Sequence, residues 1–312
     1  MAQSFAWKDL LSLPRYRNQQ QYLDNALRLL YAPGLVSSVL SSMIAPTSRF
    51  YTTIQYMGNS NFPNLLGQLY HPAEQSTARL AFLAPKSEAE NPGFARLLAH
   101  LSKKAGERGA FQVLAEVPQG AGWEDTLYQA GFRPYAEQRI WKLSLLKQSF
   151  PADRPWGPVN DEDEEPLVAL YQRVTPHRVL RVEPPPKCSQ RSGLVHLSGD
   201  QQMLCGFTQY GPRGILVDFV LDPALGDLEE QLLGLFNTLS RRGAREVYLR
   251  TRSYQGSLAF ALESLGAQAG EQQTAVVKKL TLKYNAKQAY SYQAFEKQPD
   301  ITTPISNSTV KK

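Results

Sequence analysis

The sequence predicts an α/β fold that is written twice in one chain of 312 residues. Continuous apolar runs are typical of buried strands, and amphipathic stretches that end in glycine are typical of helices. They alternate in the order strand, helix, strand, helix, strand, which is an α/β arrangement. The order recurs after 134 to 135 residues, since Gly109 corresponds to Gly243 and Gly131 to Gly266. A period of this length indicates a tandem domain duplication and not a solenoid.

The first copy begins with the continuous apolar run ARLAFLAP. The stretch that follows, PGFARLLAHLSKKAGERG, has proline near its start, leucines on one face and glycine at its end, which predicts a helix. The predicted elements are a strand at 78–85, a helix at 92–109, a strand at 110–117, a helix at 122–131 and an extended run at 132–145.

The second copy repeats this layout with different residues. It opens with GILVDFVLD, another apolar run of strand length, and each of its helices is again followed by glycine. The predicted elements are a strand at 214–222, a helix at 225–243, a strand at 244–251, a helix at 256–266 and a strand at 273–282.

Segments of low apolar content separate and follow the two copies. QSFPADRPWGPVNDEDEEP combines four prolines with a five-residue acidic run, a composition typical of a solvated connector. The acidic run either favours the start of the next helix or binds a basic partner. The predicted parts are an N-terminal domain (1–147), a linker (148–165), a C-terminal domain (166–283) and a disordered tail (284–312).

The charge, cysteine and histidine content argues against nucleic-acid binding, a disulfide framework and a metal site. The net charge is +6, and half of it falls on 283–312, which contains five lysines and two acidic residues, Glu296 and Asp300. The remainder is too small to predict a nucleic-acid-binding face. The chain has two cysteines and no pattern of a signal peptide or a transmembrane helix, so we expect a cytoplasmic protein without a disulfide framework. The four histidines have no metal-ligand spacing, and we expect no metal.

The stretch LLAHLSKKAGERGAFQVLAEV, followed by LYQAGFRPY, resembles the C-terminal two-thirds of a domain of the GNAT superfamily of N-acetyltransferases. The stretch VYLRTRSYQGSLAFALESLGA is similar but weaker. The resemblance covers about residues 20–145 and 166–283. It implies two GNAT-like domains, each with a mixed, mostly antiparallel sheet flanked by helices. It also implies acetyl-CoA as co-substrate and an amine acceptor, either a small molecule or a peptide.

The resemblance also implies a place for the cofactor at the start of the first long helix. The family turn reads Gln/Arg-x-x-Gly-x-Gly/Ala, and helix N-termini favour phosphate. Here the turn is ENPGFA, and the implied cofactor residues are Gly93, Phe94, Ala95 and Arg96. Glu90 replaces the family Gln/Arg, so the alternative is an ordinary proline-initiated helix start. The second copy has PALGDLEEQLL, which lacks the glycine pattern and is acidic.

Two residues of the first copy are candidates for catalysis. Glu116 lies on a central strand, where partial burial can raise the pKa of a carboxylate and make it a general base. The alternative is a carboxylate at a strand end. Many members of the family use a tyrosine as general acid at the position of Leu127. Tyr128 is one residue away, about 100° around a helix, and is either that acid or a packed tyrosine.

The second copy has Arg250 where Glu116 would fall, and strand alternation places Tyr248, Arg252 and Tyr254 on the same face. This predicts a basic, aromatic ridge. Asp218 lies in an apolar strand, and a buried carboxylate needs a partner. We therefore expect Asp218 to pair with Arg250 or Arg252.

Three functions fit these observations. The first is an N-acetyltransferase that uses acetyl-CoA, and the second is an inactive tandem GNAT-like protein with a binding or regulatory role. The third is a transferase with an aminoacyl or other donor. The turn at 90–95 separates the first two, because a cofactor site requires its amides to face an open cleft.

Overall fold

The computed structural model describes residues 2–32, 34–44, 49–58, 63–72, 75–145, 156–187, 192–197 and 203–280. Met1–Leu280 form one compact unit. The predicted tail and residues 148–155 of the predicted linker lie outside the described residues.

The described strands form one large sheet. They are β1 (Ala2–Ser4), β2 (Gln21–Tyr22), β3 (Phe50–Gln55), β4 (Leu65–Tyr70), β5 (Thr77–Ala84), β6 (Gln112–Pro118), β7 (Arg133–Ser144), β8 (Gly157–Pro158), β9 (Ser192–Leu197), β10 (Met203–Gly211), β11 (Gly214–Leu221), β12 (Glu246–Arg252) and β13 (Gln268–Lys279). Their order is β1-β3-β4-β5-β6-β13-β7-β12-β11-β10-β9-β8, with β2 paired to β5 beside this path. Among these strands only β5–β6 and β11–β12 are parallel, so the sheet is mixed and mostly antiparallel, as predicted.

Helices cover the sheet. They are α1 (Leu35–Ile44), α2 (Gly93–Glu107), α3 (Trp123–Gln129), α4 (Glu164–Val174), α5 (His177–Leu180), α6 (Leu228–Arg241) and α7 (Gly256–Ser264). Three short 3₁₀ helices (Trp7–Tyr16, Lys86–Glu88 and Asp161–Asp163) and a π helix (Leu27–Tyr31) complete the described elements. None of the described helices is long and apolar enough to cross a membrane.

Both predicted repeats are present, as β5-α2-β6-α3-β7 and β11-α6-β12-α7-β13. The largest difference in bounds is at the last strand, which starts at Gln268 and not at residue 273. The glycines after the short helices have positive φ angles, +90° at Gly131 and +77° at Gly266. A side chain with a Cβ rarely adopts this conformation, and so glycine ends the helix in each copy.

Apolar residues on both faces of the sheet explain why it has helices on both sides. Successive strand residues point to opposite faces. In β4, Leu65 belongs to the core under α2 and α3, and Leu66 to the core under α1 and the first 3₁₀ helix. In β10, Leu204 packs with α6 and α7, and Cys205 packs with α4. The central sheet is therefore buried in both halves.

The last strand of each copy lies in the half formed by the other copy. β7 pairs with β12, and β13 pairs with β6, while β7 and β13 pair with each other in the middle. The last strands of the two copies are thus exchanged between the halves. Both strands have twelve residues, long enough to pair on both sides.

The second part of the predicted linker is ordered and partly buried. The side chain of Trp156 is 5% exposed, and its indole N–H donates to the Gln231 carbonyl at 2.9 Å. The acidic run then begins α4, as one of the two interpretations predicted. The backbone N–H of Asn160 donates to the carboxylate of Asp163 at 2.8 Å, which caps the 3₁₀ helix (Asp161–Asp163) that leads into α4.

Candidate functional site

Two crevices open in the sheet, one in each half, where parallel strands separate. β5 and β6 share three registered pairs, the last being Arg79 with Leu114, and then part. β11 and β12 part after Asp218 and Arg250. α/β sheets bind ligands at the carboxyl ends of such strands. We call the opening between β5 and β6 the first crevice and the opening between β11 and β12 the second crevice.

The first crevice is filled by the chain itself. Residues 21–25, which we call the crevice segment, pair with β5 through Gln21 and Tyr22. The N–H of Leu23 then donates to the Ala81 carbonyl, and the Leu23 carbonyl accepts the N–H of Glu116, both at 2.9 Å. One peptide segment thus bridges the separated strands, and the Leu23 side chain is 1% exposed. The crevice segment satisfies backbone groups that a bound ligand would otherwise contact.

The second crevice is bridged by one side chain. The amide group of Gln255 donates to the Phe219 carbonyl in β11 at 2.9 Å, and its oxygen accepts the N–H of Arg252 in β12 at 3.0 Å. Gln255 is buried. Both openings between parallel strands therefore contain groups of this chain.

Glu116 is held by groups from three parts of the chain. One carboxylate oxygen lies 3.1 Å from the Arg250 guanidinium and 3.8 Å from that of Arg79. The other oxygen accepts the backbone N–H of Asn25 at 2.8 Å. The side chain is 5% exposed. The carboxylate is thus enclosed by an arginine from each half and by the crevice segment.

These contacts set the protonation state of Glu116. Burial raises the pKa of this carboxyl, but the guanidinium groups of Arg250 and Arg79 and the Asn25 N–H outweigh burial and lower the pKa to about 2. A general base works best with a pKa near the operating pH. The pKa of Glu116 is far below neutral, so its surroundings favour an ion-pairing role over proton abstraction.

The predicted partner of Asp218 is confirmed. Its carboxylate lies 3.1 Å from a terminal nitrogen of Arg250. Arg250 therefore stands between Asp218 and Glu116, with one guanidinium nitrogen on each carboxylate. Two carboxylates around one buried arginine compensate its charge.

A second ion pair, partly buried, lies beside the first. Arg252 donates to both oxygens of Glu183, at 2.8 and 2.9 Å, and the hydroxyl of Tyr135 donates to the same carboxylate at 2.5 Å. Burial raises the pKa of Glu183, but Arg252 and the Tyr135 hydroxyl outweigh it and lower the pKa. Burial and the adjacent Glu183 raise the pKa of Tyr135. Arg252 and Glu183 both belong to the second copy, and the Tyr135 hydroxyl from β7 of the first copy joins this pair to the other half.

The expected basic, aromatic ridge is not a surface. Tyr248, Arg250 and Arg252 are 9%, 6% and 8% exposed. Tyr254 is half-buried. The reason is that β12 lies inside the sheet between β7 and β11, where α5 and the following turn cover it through Glu183. These residues form the interior of the molecule and do not offer a docking face.

No protein-family model matches the sequence, and no curated protein matches it. Among solved structures, a tandem GNAT protein from the clavulanic acid biosynthesis pathway gives a TM-score of 0.47 at 16% identity, over 89% of this chain and 98% of that chain. A GNAT-family acetyltransferase from Colwellia psychrerythraea gives 0.44 at 9% identity, over 90% of this chain and 100% of that chain.

A GCN5-related N-acetyltransferase from Sphaerobacter thermophilus gives a TM-score of 0.51 at 12% identity, over 89% of this chain and 95% of that chain. This chain has the GNAT fold. The similarity extends over both halves because it covers most of both chains. At this identity the comparison concerns the fold, and function depends on the residues of the site.

The implied cofactor residues of the GNAT fold lie at the start of α2, and they do not fit a phosphate. The N–H of Gly93 donates to the side-chain oxygen of Asn91 at 2.9 Å. The N–H groups of Phe94 and Ala95 donate to the carbonyls of Asn91 and Pro92, at 3.0 and 3.2 Å. These are the amides that a pyrophosphate would need.

The packing around this turn agrees with its hydrogen bonds. Gly93 and Phe94 are buried. A Cβ at Gly93 would lie 2.8 Å from the Leu65 side chain and 2.9 Å from that of Met57. Arg96 is exposed on the first turn. The glycine is thus used for close packing, and only Arg96 among the implied cofactor residues faces solvent with a charge.

Tyr128 and Glu116 have different neighbours. Leu127, which occupies the position of the family tyrosine, is fully buried, and Tyr128 packs against the same apolar core. The Tyr128 carbonyl accepts a hydrogen bond from Arg133 at 3.0 Å. Glu116 contacts Arg79, Arg250 and Asn25. The structure gives no contact between the two candidates for catalysis.

The start of α6 in the second half is acidic, as expected. Asp227 has a φ of +50°, and the first turn carries Glu229 and Glu230. These carboxylates disfavour an anion at the helix start. Among the described residues no group of three or more His, Cys, Asp or Glu could hold a metal ion.

Sequence reasoning missed several residues of the site, among them Leu23, Asn91 and Glu183. Asn91 had a signal, because Asn just before a helix is a common capping residue. Leu23 and Glu183 had none, since each acts through partners far away in the sequence.

Proposed function

We propose that this chain is an inactive GNAT-fold protein with a binding or regulatory role, and not an N-acetyltransferase. The observation that supports this most directly is the crevice segment, whose Leu23 peptide bridges β5 and β6. A cofactor at this place would have to displace a buried leucine and two strand-like hydrogen bonds. The capped amides of Gly93, Phe94 and Ala95 and the low pKa of Glu116 support the same function.

The competing function is transfer of an acetyl group from acetyl-CoA to an amine. The shared fold supports it, because a similar structure is that of a GCN5-related N-acetyltransferase. In that case Glu116 would act as base, Tyr128 as acid, and the start of α2 would hold the cofactor. This function requires the crevice segment to leave its place. A cytoplasmic location stays a prediction from the cysteine content.

The deciding experiment is a thermal-shift titration of the full chain with acetyl-CoA and CoA. A ligand that binds only the folded state raises the free energy of unfolding by roughly 2.7 kcal/mol at one hundred times its dissociation constant. We expect no such increase for acetyl-CoA at millimolar concentration, and no CoA thiol release with a panel of amines.

The control variant is Arg96→Glu. Arg96 is exposed, so its replacement preserves the fold, whereas Gly93→Glu would push a side chain into Leu65 and Met57. A saturable shift with acetyl-CoA that Arg96→Glu abolishes would refute the proposed function and place a working cofactor site at α2.

A further inference from the structure

A polar pocket lies at the mouth of the first crevice, with a volume of about 410 Å³. The crevice segment forms one wall, and the chain after β5 and the turn after β6 form two others. The charged side chains that line it are Arg28, Lys86 and Glu271. The start of α2 does not line this pocket, so the pocket is separate from the implied cofactor turn.

The two cations of the pocket have no partner within the described chain. Neither Arg28 nor Lys86 forms an ion pair there with a carboxylate, including that of Glu271. The Nε atom of Arg28 is buried without a hydrogen-bond partner. A buried donor without an acceptor costs free energy, which a bound acceptor would recover. Arg28 and Lys86 therefore have unused capacity for an anion.

Side chains, and not the backbone, offer the donors. The N–H of Gly120, in the turn after β6, already donates to the Glu124 carboxylate at 2.8 Å. A guanidinium group binds oxyanions through paired donors, and an ammonium adds a compact positive charge. Arg28, Lys86 and Glu271 together leave the pocket with a net positive charge, and the two cations can each donate to a different oxygen of one phosphate group.

The volume indicates what carries the anion. Pockets for small molecules span roughly 300–1,000 Å³, and this one falls in that range. A single water molecule takes only about 30 Å³, so an inorganic ion would leave most of the pocket to solvent. We propose that this pocket binds a small phosphate monoester, with Arg28 and Lys86 on the phosphate group. The proposal does not depend on whether the chain transfers acetyl groups.

Titration calorimetry of the full chain tests the proposal, with phenyl phosphate, inorganic phosphate and benzoate at constant ionic strength set by chloride. We expect phenyl phosphate to bind more tightly than either of the other two. Equal affinities for inorganic phosphate and phenyl phosphate would overturn the proposal that the ligand is a phosphate monoester. The proposal would also be overturned if benzoate bound as tightly as phenyl phosphate, or if phenyl phosphate did not bind at about 10 mM.

Matched variants assign the site. We expect Arg28→Gln and Lys86→Gln each to weaken phenyl phosphate binding at least about tenfold, or 1.4 kcal/mol. Lys86 is exposed, so this variant keeps the fold. Lys103→Gln, at an exposed lysine on α2 outside the pocket, is expected to leave the affinity unchanged. Unchanged affinity in both pocket variants would overturn the proposal.

Two further measurements distinguish binding in the pocket from simple destabilisation and from binding at the start of α2. Glu271→Gln removes the carboxylate of the pocket and should strengthen binding, a gain that simple destabilisation would not produce. CoA also carries a phosphate monoester. If CoA did bind, contrary to the expectation above, binding lost in Lys86→Gln and kept in Arg96→Glu would assign it to the pocket, while the reverse pattern would assign it to α2 and refute the proposed function.

Discussion

Glu116 shows how the surroundings of one residue decide its chemistry. Strand alternation and position suggested a base, but a carboxyl group between two guanidinium groups stays ionised. Its pKa is lowered from 4.5 to about 2 in the folded chain. A lowered pKa means that the ionised carboxylate stabilises the fold above about pH 4.5, and that this contribution disappears as the pH falls towards 2.

We predict that Glu116→Gln lowers the free energy of unfolding at pH 7 by about 3 kcal/mol, because it removes one charge of a buried ion cluster. We also expect its stability to fall less steeply than that of the parent chain between pH 4.5 and pH 2. Urea unfolding at a series of pH values measures both effects. Glu263→Gln, at an exposed carboxylate, serves as the control. Equal pH slopes for parent and Glu116→Gln would contradict the ion-pairing role.

For two other single residues the sequence held the information: the partner of Asp218 was predicted, whereas Asn91, which caps the start of α2, was overlooked. An Asp in the run ILVDFVL must have a cation nearby, and alternation on the next strand offered Arg250. Asn91 belongs to a residue type that caps helices, but the family turn drew attention to Gly93. In both cases the information is local, within one strand or one turn.

At the scale of elements, the crevice segment is the feature that most changes the functional interpretation. β2 has only two residues, too short for a recognisable strand pattern. It is ordered by backbone pairing to β5 and by the burial of Leu23, and neither is visible in the sequence of the segment itself. The element therefore belongs to the tertiary structure.

We predict that Leu23→Ala lowers the free energy of unfolding by about 2–5 kcal/mol, the range for a fully buried leucine. Leu11→Ala is the matched control, because Leu11 is 91% exposed and its truncation should stay within about 0.5 kcal/mol. Chemical denaturation of the three chains compares these values. If Leu23→Ala behaved like Leu11→Ala, the crevice segment would not be a stable part of the fold.

At the scale of the whole molecule, the exchange of β7 and β13 makes the two halves one structure. Each half takes its inner strand from the other copy, and the ion pair of Arg250 with Glu116 and the hydrogen bond of Tyr135 with Glu183 cross the same boundary. The predicted boundary between residues 147 and 166 therefore does not separate independent sheets.

We predict that fragments 1–145 and 156–280 do not fold alone and regain a common structure when refolded together. Each isolated fragment would lack the partner strand of its last β-strand and would expose a long edge. Circular dichroism and thermal unfolding of each fragment and of the mixture measure this. A cooperative transition in fragment 1–145 alone would show that the exchange is not needed for folding.

The sequence by itself determined the local elements, the glycines that end the helices, the repeated order and the GNAT-like layout. Hydrophobic period and backbone freedom act over a few residues, and for this reason a sequence displays them. Only the tertiary structure decided which copy each last strand joins, what fills the first crevice and how Glu116 is charged. The contact between Asn25 and Glu116 spans 91 residues. Such contacts depend on how distant strands pair, and neither period nor propensity records that pairing.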